Sequence, residues 1–518
     1  MSKGPKSNQT PQPPKGTRDL YPDDLLKRRY IQNAWRDAAL RCGFDEIEGP
    51  TFESTDLYAI KSGEGILNEL FQTFSGKGGQ ETLDKLVERG QADFALRPEF
   101  TPTLARMYAA RAKQLPKPCK WFTAGPYFRA ERPQRGRLRE FLQWNCDIIG
   151  LPSDDDLEQA QAQMDAEIIE VGINLLDALG FSNQDLAFSI FNRNIWTGFL
   201  NALEIDESSL DQWFGWIDAF TKRTKEQRLN AALSFGGAEK QVDYFEHFFS
   251  ALLSNQAKPT ISFDEVVKMV QSKNSDSNDD DEIPYFEAVL APLHDTLKSV
   301  GIENWTFQDP RIIRGLAYYT GTVFEAIADG ERAVAGGGRY DNLIELMGGP
   351  PTPAVGFAMG DVVLGNLLDD KHLMPDGQDL MEAVSRKQTS IRPEAFIAVP
   401  NNDQENKSAA QSLTATLRRG QESESYLNNE SRKPWQTDRY AIPPLHTRIS
   451  YKSTTIPGKL RADAQKQHAK YFIEIHAPNK VDLTDMDKRE SITSPTHASF
   501  STDPTKENYI GTAINNLL

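Results

Sequence analysis

An unusual density of arginine marks one segment of a chain that is otherwise acidic. Residues 125–141 (GPYFRAERPQRGRLREF) carry five arginines within eleven positions, although the 518-residue chain has a formal net charge of −16. Guanidinium groups match phosphate oxygens with paired hydrogen bonds and stay charged at any physiological pH. Phe128 and Phe141 flank the arginines. The segment therefore predicts a nucleotide site in which cations hold phosphate and an aromatic ring covers the base.

Two strand-like stretches are placed to carry these arginines on a β-hairpin. KWFTAGPYFRA and LREFLQWNCDIIG are rich in aromatic and β-branched residues, and the Pro-, Gly- and Arg-rich ERPQRGR lies between them. Strand patterns return after about residue 300, in TGTVFEAIA, RAVAGGGRYD and PAVGFAMG. A helical region separates the two blocks, so the sequence predicts an α+β fold with one antiparallel sheet, flanked by helices and interrupted by a helical insertion.

Changes of composition and periodicity divide the chain into units. In chain order we predict a disordered tail at 1–15, a core in two parts at 16–184 and 300–370 around a helical insertion at 185–299, a polar linker at 371–391, and a small C-terminal α/β domain at 392–518. Strand–helix alternation in the last unit is typical of a mainly parallel sheet. Its polar stretch 421–447 contains little that could form a core, and we interpret it as a surface insertion.

Composition disfavours several classes of protein. The longest apolar runs, such as YFIEI, are far shorter than the ~20 residues that cross a bilayer. The polar N-terminus lacks the apolar stretch of a signal peptide, which favours a cytoplasmic protein. Three widely spaced cysteines and seven histidines predict neither a disulfide framework nor a metal site built by protein residues alone. A pI near 5.1 disfavours nonspecific polyanion binding, so any nucleic-acid contact must be local.

The arginine-rich hairpin resembles a known motif. FRAE, Arg137 and Phe141 are similar to motif 2 of the class II aminoacyl-tRNA synthetases, whose pattern is FRxE, a loop and (R/H)xxxF. Other stretches resemble the histidyl-tRNA synthetase family, in the order that family has them: PPKGTRDLYP, LRPEFTPTLARM, RPQRGRLREF, RGLAYYTGTVFE and GGGRYDNL. FDEIEGPTFE is similar to motif 1, which implies a homodimer. The resemblance covers 13–180 and 300–370 well and implies a class II synthetase sheet core. It is weaker at the C-terminus, where it implies an anticodon-binding-like domain.

This resemblance implies an enzyme that joins L-histidine to tRNA-His with ATP and Mg2+. Adenylation builds charge on phosphate oxygens in the transition state, where fixed cations supply most of the catalysis. Arg129 is implied to hold the α-phosphate and the histidine carboxylate, and Arg314 the α-phosphate from the other side. Further ATP contacts are implied for Glu131 at the adenine amino group, Phe141 against the ring, and Arg137.

The resemblance also implies an amino-acid pocket and a contact with tRNA. Imidazole needs both a donor and an acceptor, and an analogue without the ring nitrogens would leave buried groups unpaired. Six residues match positions that bind histidine: Glu99, Thr101 and Gln143 at the α-ammonium, and Asp147, Tyr319 and Tyr340 around the ring. Arg132 and Gln134, in the hairpin loop, match positions that meet the acceptor end of the tRNA.

Some of these roles have structural alternatives, and three positions depart from the family: Ala317 replaces an acidic residue, Asp147 a glutamate, and the third departure, in motif 3, matters most. Arg314 could be a structural ion-pair residue, Phe141 a core residue, and Tyr340 a packing residue. In motif 3 (GFAMGDVV), Val363 stands where an arginine that reaches the γ-phosphate is expected. Losing a charge-assisted hydrogen bond costs about 1.5–3 kcal/mol, or roughly ten- to a hundredfold in rate.

Two functions from different classes therefore stay open. One is an active histidine–tRNA ligase, and the other is a non-catalytic, synthetase-like regulatory subunit of ATP phosphoribosyltransferase. Val363 favours the regulatory subunit. The ligase is favoured by a C-terminal domain, which such subunits generally lack, and by five retained residues: Arg129, Glu131, Arg314, Glu99 and Gln143. A ligase for another amino acid is disfavoured because RGLAYYTG and GGGRYD together resemble the histidine family in particular.

Overall fold

The structure, a computed structural model, describes most of the chain. The described residues are 10–62, 69–74, 79–152, 156–202, 205–220, 223–253, 286–312, 318–328, 333–401, 403–452, 454–494 and 499–518. The predicted tail at 1–15 lies mostly outside them, because description begins at Thr10. None of the helices in these ranges is long and apolar enough to cross a membrane.

Helices and strands alternate along the described chain. The strands are β1 Asp45–Glu46, β2 Phe52–Ser54, β3 Gln72–Thr73, β4 Phe94–Leu96, β5 Cys119–Phe128, β6 Glu140–Ile149, β7 Leu186–Asn192, β8 Thr306–Gln308, β9 Thr322–Ala328, β10 Ala335–Arg339, β11 Ala354–Gly360, β12 Ala395–Ala398, β13 Gln421–Glu422, β14 Tyr440–Ile442, β15 Thr447–Ile449, β16 Tyr471–Ala477, β17 Lys480–Asp485 and β18 Glu490–Ile492. The α-helices are α1 Pro22–Arg41, α2 Thr55–Ser62, α3 Gln80–Arg89, α4 Thr101–Arg111, α5 Leu157–Ala178, α6 Arg193–Ala202, α7 Leu210–Asp218, α8 Lys225–Ser234, α9 Glu239–Leu253, α10 Phe286–Ser299, α11 Leu343–Leu346, α12 Asp361–Asp370, α13 Gly377–Ser385, α14 Gln404–Arg419, α15 Glu424–Leu427, α16 Pro457–Lys466 and α17 Ile510–Leu517.

An eight-stranded sheet forms the central layer, with strand order β1-β5-β6-β11-β10-β9-β7-β8. The pairs in its centre are antiparallel, while the edge pairs β1–β5 and β7–β8 are parallel. Strands β5 and β6 pair from Cys119↔Ile149 to Phe128↔Glu140, so the predicted hairpin is confirmed and its arginines lie at the rim. The α+β class with an antiparallel sheet core is likewise confirmed.

Helices α1 and α5 cover one face of this sheet and enclose the core. The Asp156 side chain caps α5 by accepting from the Gln159 backbone N–H at 3.0 Å. On α1, Trp35 stacks against Trp144 of β6 with 6.3 Å between ring centroids. Helix α5 packs closely against β7 because Gly172 has no side chain. An added methyl group there would lie 2.8 Å from the Phe188 ring.

Strand β7 changes the predicted extent of the helical insertion. It lies inside the predicted range 185–299, yet it pairs along its whole length with β9 of the large sheet. All seven of its residues are buried, which is why an apolar run without alternation forms a strand here. The helical part begins with α6, and its helices share a core of aromatic rings in mutual contact: Trp196, Trp213, Trp216, Phe245 and Phe249.

The C-terminal unit contains a second sheet, with strand order β15-β12-β16-β17-β18. Strand β12 is parallel to β15 and β16, whereas β16, β17 and β18 are antiparallel to one another. The sheet is therefore mixed rather than mainly parallel. The range predicted as a linker contains α13, which contacts α1 through a 3.2 Å hydrogen bond from Asn33 Nδ2 to the Val384 carbonyl.

The polar stretch 421–447 is fixed to the core rather than solvated as a surface loop. Its Arg439 side chain is only 4% exposed. The guanidinium donates to the carbonyls of Asp177 and Ala178, at 3.0 and 2.9 Å, and to Glu422 at 2.8 Å. The last carbonyls of a helix have no intrahelical partners, and this arginine satisfies two of them at the end of α5.

A buried ion cluster joins the C-terminal domain to the large sheet. Arg418 of α14 contacts Glu167 at 2.9 Å and Glu170 at 3.2 Å, both on α5. Lys120 of β5 contacts Glu167 at 2.7 Å, and the Tyr451 hydroxyl donates to Glu167 at 2.5 Å. Burial alone would raise the pKa of Glu167, but the two cations and these hydrogen bonds outweigh it and lower the pKa to about 2.

Candidate active site

A pocket of about 560 Å³ opens over the middle of the large sheet, beside the rim of the β5–β6 hairpin. Gln143 and Asp147 of β6 pair with Gly360 and Gly356 of β11, so residues distant in sequence meet on one face. Nine predicted site residues line the pocket: Glu99, Thr101, Arg129, Arg137, Phe141, Gln143, Asp147, Tyr319 and Tyr340. One cavity thus brings together the residues predicted for ATP and those predicted for histidine.

The end of the pocket nearest the rim is cationic and aromatic. Arg129 Cζ lies 5.4 Å from the centroid of the Phe141 ring, and Nε donates to the Pro98 carbonyl at 3.2 Å. Neither terminal nitrogen of Arg129 is bonded to another described residue. Phe141 packs in turn against Tyr127, with 6.3 Å between centroids. The guanidinium is therefore positioned by its neighbours while its two outer nitrogens can still bind an anion.

A tight turn at the tip of the hairpin places Arg137 at the pocket. The backbone N–H groups and carbonyls of Gln134 and Arg137 pair in both directions, at 3.0 and 2.9 Å. Gly136 has a φ of +75° inside this turn, a conformation that favours glycine. The Arg137 side chain forms an ion pair with Glu131. Glu131 itself is not among the residues that line the pocket.

A carboxylate held by a tyrosine forms the floor of the other end. The Tyr340 hydroxyl donates to Asp147 Oδ1 at 2.5 Å, and both side chains are buried. Burial, and then the neighbouring carboxylate, raise the pKa of Tyr340 well above its usual value. The phenol therefore stays protonated and keeps Asp147 oriented. Gly356 leaves room for this carboxylate, because an added methyl group there would overlap with Asp147 Oδ1.

Gln143 presents an acceptor without a partner. Its side chain is 7% exposed, and Oε1 accepts no hydrogen bond from any described residue. Leaving a buried acceptor unsatisfied costs about 1–3 kcal/mol. Glu99 and Thr101, at the start of α4, line the same pocket. These oxygens offer a site for a donor, and an ammonium group has the right charge and the three donors to fill it.

Sequence reasoning missed Arg97, which supports the pocket without lining it. This arginine is 1% exposed, and it donates to the carbonyls of Pro126 and Gly49 at 2.8 and 3.0 Å. Its Cζ also lies 4.7 Å from the Tyr127 ring centroid. The sequence signal was available in LRPEFT, where a charged residue ends an apolar strand. Arg97 ties β4 and the Gly49 loop to the strand that leads to Arg129.

Three predicted site residues, Glu131, Arg132 and Gln134, do not line the pocket. Arg132 and Gln134 are exposed at the tip of the hairpin. Arg314 lies outside the described residues. Within the described ranges, no group of three or more His, Cys, Asp or Glu side chains could hold a metal ion.

Val363 occupies the motif 3 position expected to carry an arginine. It lies in the first turn of α12, it is 7% exposed, and it lines the pocket together with Val362. An apolar side chain cannot bind a phosphate. Any cation at this end of the pocket therefore comes from another segment.

Comparison with known proteins decides the family. The model of the family described as histidyl-tRNA synthetase matches residues 16–361, which is well over half of the chain. The chain belongs to the histidyl-tRNA synthetase family. The resemblance to this family that motif 2 and the other quoted stretches indicated is thereby confirmed.

Curated relatives of this family cover most of the chain. The histidine–tRNA ligase of Opitutus terrae is 37% identical over 70% of this chain and 75% of its own length. That of Thermococcus kodakarensis is 34% identical over 78% and 82%. The solved histidyl-tRNA synthetase from Nostoc sp. PCC 7120 covers 99% of this chain and 100% of its own, with a TM-score of 0.51 and 20% identity, and so supports the fold alone. Because the curated relatives are ligases, the regulatory-subunit alternative is not favoured.

Proposed function

We propose that this chain, a histidine–tRNA ligase, activates L-histidine with ATP in the pocket over the large sheet and transfers it to tRNA-His. The observation that carries the assignment of this site is the meeting of Arg129, Phe141, Gln143 and the Asp147–Tyr340 pair in one cavity. A guanidinium beside an aromatic ring suits a nucleotide. A buried acceptor beside a fixed carboxylate suits an amino acid with a polar ring.

In the first step, a histidine carboxylate oxygen attacks the α-phosphorus, and the bond from that phosphorus to the pyrophosphate oxygen breaks. Negative charge grows on the α-phosphate oxygens during this exchange. Arg129 stabilises that charge because its guanidinium is already positioned by Phe141 and the Pro98 carbonyl. Preorganised donors of this kind commonly supply about 10²–10³ in rate each. The Arg137 cation binds ATP at the same end of the pocket.

Specificity for histidine comes from the opposite end of the pocket. Asp147 accepts from an imidazole N–H while Tyr340 keeps the carboxylate in place. Gln143 Oε1 accepts from the α-ammonium group, supported by Glu99 and Thr101. An amino acid without ring nitrogens could not donate to the buried Asp147 carboxylate, so rejection of apolar competitors is large.

The pocket carboxylates suit magnesium that arrives with ATP. Among the described residues that line the pocket, the carboxylates are those of Glu99, Asp147 and Glu325. Mg2+ usually takes one or two carboxylates together with substrate phosphates and keeps several waters, so Glu325 fits it as a partial ligand. When bound, Mg2+ would neutralise charge on the leaving pyrophosphate.

In the second step, a hydroxyl of the terminal tRNA ribose attacks the adenylate carbonyl, and AMP leaves. Arg132 and Gln134 are exposed at the hairpin tip beside the pocket, where an acceptor end could meet them. The C-terminal domain would contact the anticodon. We also propose a homodimer formed through the motif 1-like segment around Pro50, and activity in the cytoplasm, where charged tRNA is consumed.

The substitution Gly356→Ala is expected to raise the KM for histidine by about tenfold or more, because its methyl group would displace the Asp147 carboxylate. The KM for ATP should change little. Histidine-dependent exchange of pyrophosphate into ATP measures both constants. Gly365→Ala, in α12, is the matched control, since its methyl would lie 3.6 Å from Ile31 in ordinary contact. An equal KM for histidine in the two variants would contradict the role of Asp147.

The substitution Gln134→Ala is expected to lower the rate of tRNA charging several-fold and to leave pyrophosphate exchange unchanged. The exposed side chain lies outside the ATP pocket, so its loss should affect only the step that involves tRNA. Both reactions would be measured on the same preparation. A parallel fall in the two rates would contradict a contact with the acceptor end.

The proposal as a whole is tested by charging. With ATP and Mg2+, the protein should attach labelled histidine to a tRNA-His transcript and not to transcripts for other amino acids. Failure of a folded preparation to charge tRNA-His would overturn it.

A further inference from the structure

One motif of the sequence has no role in the mechanism above. The segment Lys15–Asp19 (KGTRD) precedes α1, and it lies against the rim of the β5–β6 hairpin. The Gly16 carbonyl accepts from the backbone N–H groups of Arg139 and Glu140, at 2.8 and 3.3 Å. This one carbonyl therefore holds the N-terminal segment against the point where the motif 2 loop ends and β6 begins.

Gly16 allows this close approach. Its φ is +91°, and an added methyl group would lie 2.7 Å from Pro133 Cγ and 2.9 Å from Arg139 Cγ. Pro133 belongs to the loop that carries Arg132 and Gln134. Any larger residue at position 16 would push that loop away, so the contact fixes where the loop lies.

Asp361 joins the same segment to the strand that forms the pocket. The residue is 5% exposed, and it begins α12 directly after β11. Asp361 Oδ1 accepts from the backbone N–H of Leu142 at 2.9 Å, and Oδ2 accepts from Arg18 Nη2 at 2.7 Å. Leu142 lies between Phe141 and Gln143, both of which line the pocket. One carboxylate thus holds β6, the motif 3 helix and the N-terminal segment together.

We infer that Gly16, Arg18 and Asp361 form an N-terminal brace that positions the motif 2 hairpin for ATP. Arg18 pairs at 2.7 Å with Asp361, whose chain neighbours Val362 and Val363 line the pocket and bring no positive charge to motif 3. The three residues act through Phe141 and the hairpin loop and need no contact with substrate. This inference rests on the proposed function, because it takes Phe141, Arg129 and Arg137 as the ATP-binding residues.

The brace predicts a change in ATP affinity rather than a general loss of activity. In Arg18→Gln and Asp361→Ala, the KM for ATP should rise by about tenfold or more, as expected for losing a charge-assisted hydrogen bond. The KM for histidine should stay within about twofold. Arg18→Lys keeps the charge and should recover most of the ATP affinity. Gly16→Ala should also raise the KM for ATP and leave the KM for histidine nearly unchanged, because its methyl group would displace the loop through Pro133.

A control pair lies on the same two elements. Lys27 of α1 and Asp369 of α12 form an exposed ion pair at 3.0 Å, at the far end of the helix from the pocket. Lys27→Gln should leave both KM values unchanged. The brace would be overturned if Arg18→Gln and Asp361→Ala lowered kcat or the unfolding midpoint while leaving the KM for ATP at its wild-type value, since that is the signature of a purely structural contact.

Direct ATP binding separates this inference from the proposed function. The dissociation constant of ATP, measured by calorimetry without histidine, should weaken about tenfold in Asp361→Ala relative to wild type and Lys27→Gln. If wild type bound ATP without catalysing exchange, the proposed function would fail. The brace would still be tested by comparing the ATP dissociation constants of the three proteins. Equal ATP constants in all three proteins would overturn the brace even if charging of tRNA-His succeeded.

Discussion

Replacing Arg129 by alanine is expected to lower histidine-dependent pyrophosphate exchange by about 10²–10³-fold. The guanidinium is held by the Phe141 ring and the Pro98 carbonyl, and its outer nitrogens are bonded to no other described residue. Its position is therefore prepared before ATP binds, and the charge it stabilises develops only in the transition state. The loss should appear mainly in kcat, because the ground-state α-phosphate carries less of that charge.

The matched control for this prediction is Arg135→Ala. Arg135 is on the same hairpin, but its side chain is 64% exposed, does not line the pocket, and contacts Asp370 at 2.5 Å. Its exchange rate should stay near that of wild type. Unfolding midpoints measured on both variants show whether each remains folded. Equal exchange rates in the two variants would contradict a catalytic role for Arg129.

The second large effect is expected from Arg418→Met. Arg418 is 2% exposed and supplies a cation to both Glu167 and Glu170 across the boundary with the C-terminal domain. Removing one partner of a buried ion pair leaves an uncompensated buried charge and costs roughly 3–5 kcal/mol. Urea unfolding should therefore shift to a clearly lower midpoint. Lys27→Met is the control, since it breaks an exposed pair with Asp369 that is worth about 0–1 kcal/mol.

The same cluster gives the stability of the wild-type chain a dependence on pH. The pKa of Glu167 lies at about 2 in the folded protein, below its usual value of 4.5. A carboxylate with a lowered pKa contributes stability that is fully present above 4.5 and is lost as the pH falls through 2. Unfolding midpoints measured across that window should show the loss. Arg418→Met removes one of the cations that lower the pKa, so its pH-dependent loss should be smaller and should be complete at a higher pH. Identical pH profiles would contradict the coupling.

The sequence predicted the hairpin and its pocket residues because their signals are local. Stretches rich in aromatic and β-branched residues specify β5 and β6, and the motif residues then lie at fixed offsets along those strands. The packing of β6 beside β11 brings Asp147 to Gly356, a pairing that no local pattern contains.

Contacts between distant segments could not be predicted in this way. Arg439 caps α5 from 261 residues away, so the stretch 421–447 looked like solvated loop when judged by its own composition. The ion pairs of Arg418 with Glu170 and of Arg18 with Asp361 also join distant segments. Neither could be predicted, because a charged residue can be assigned to the interior only when its partner is known. Strand β7 was assigned to the insertion because a short, fully buried strand lacks the alternation that identifies one.

The central claim is that this pocket activates histidine although Val363 replaces the motif 3 arginine. Its most direct test is amino-acid-dependent exchange of labelled pyrophosphate into ATP, without tRNA, for histidine and each of the other amino acids. The account predicts exchange with histidine alone, and its loss in Arg129→Ala. No exchange from folded wild-type protein, or exchange supported equally by other amino acids, would contradict it.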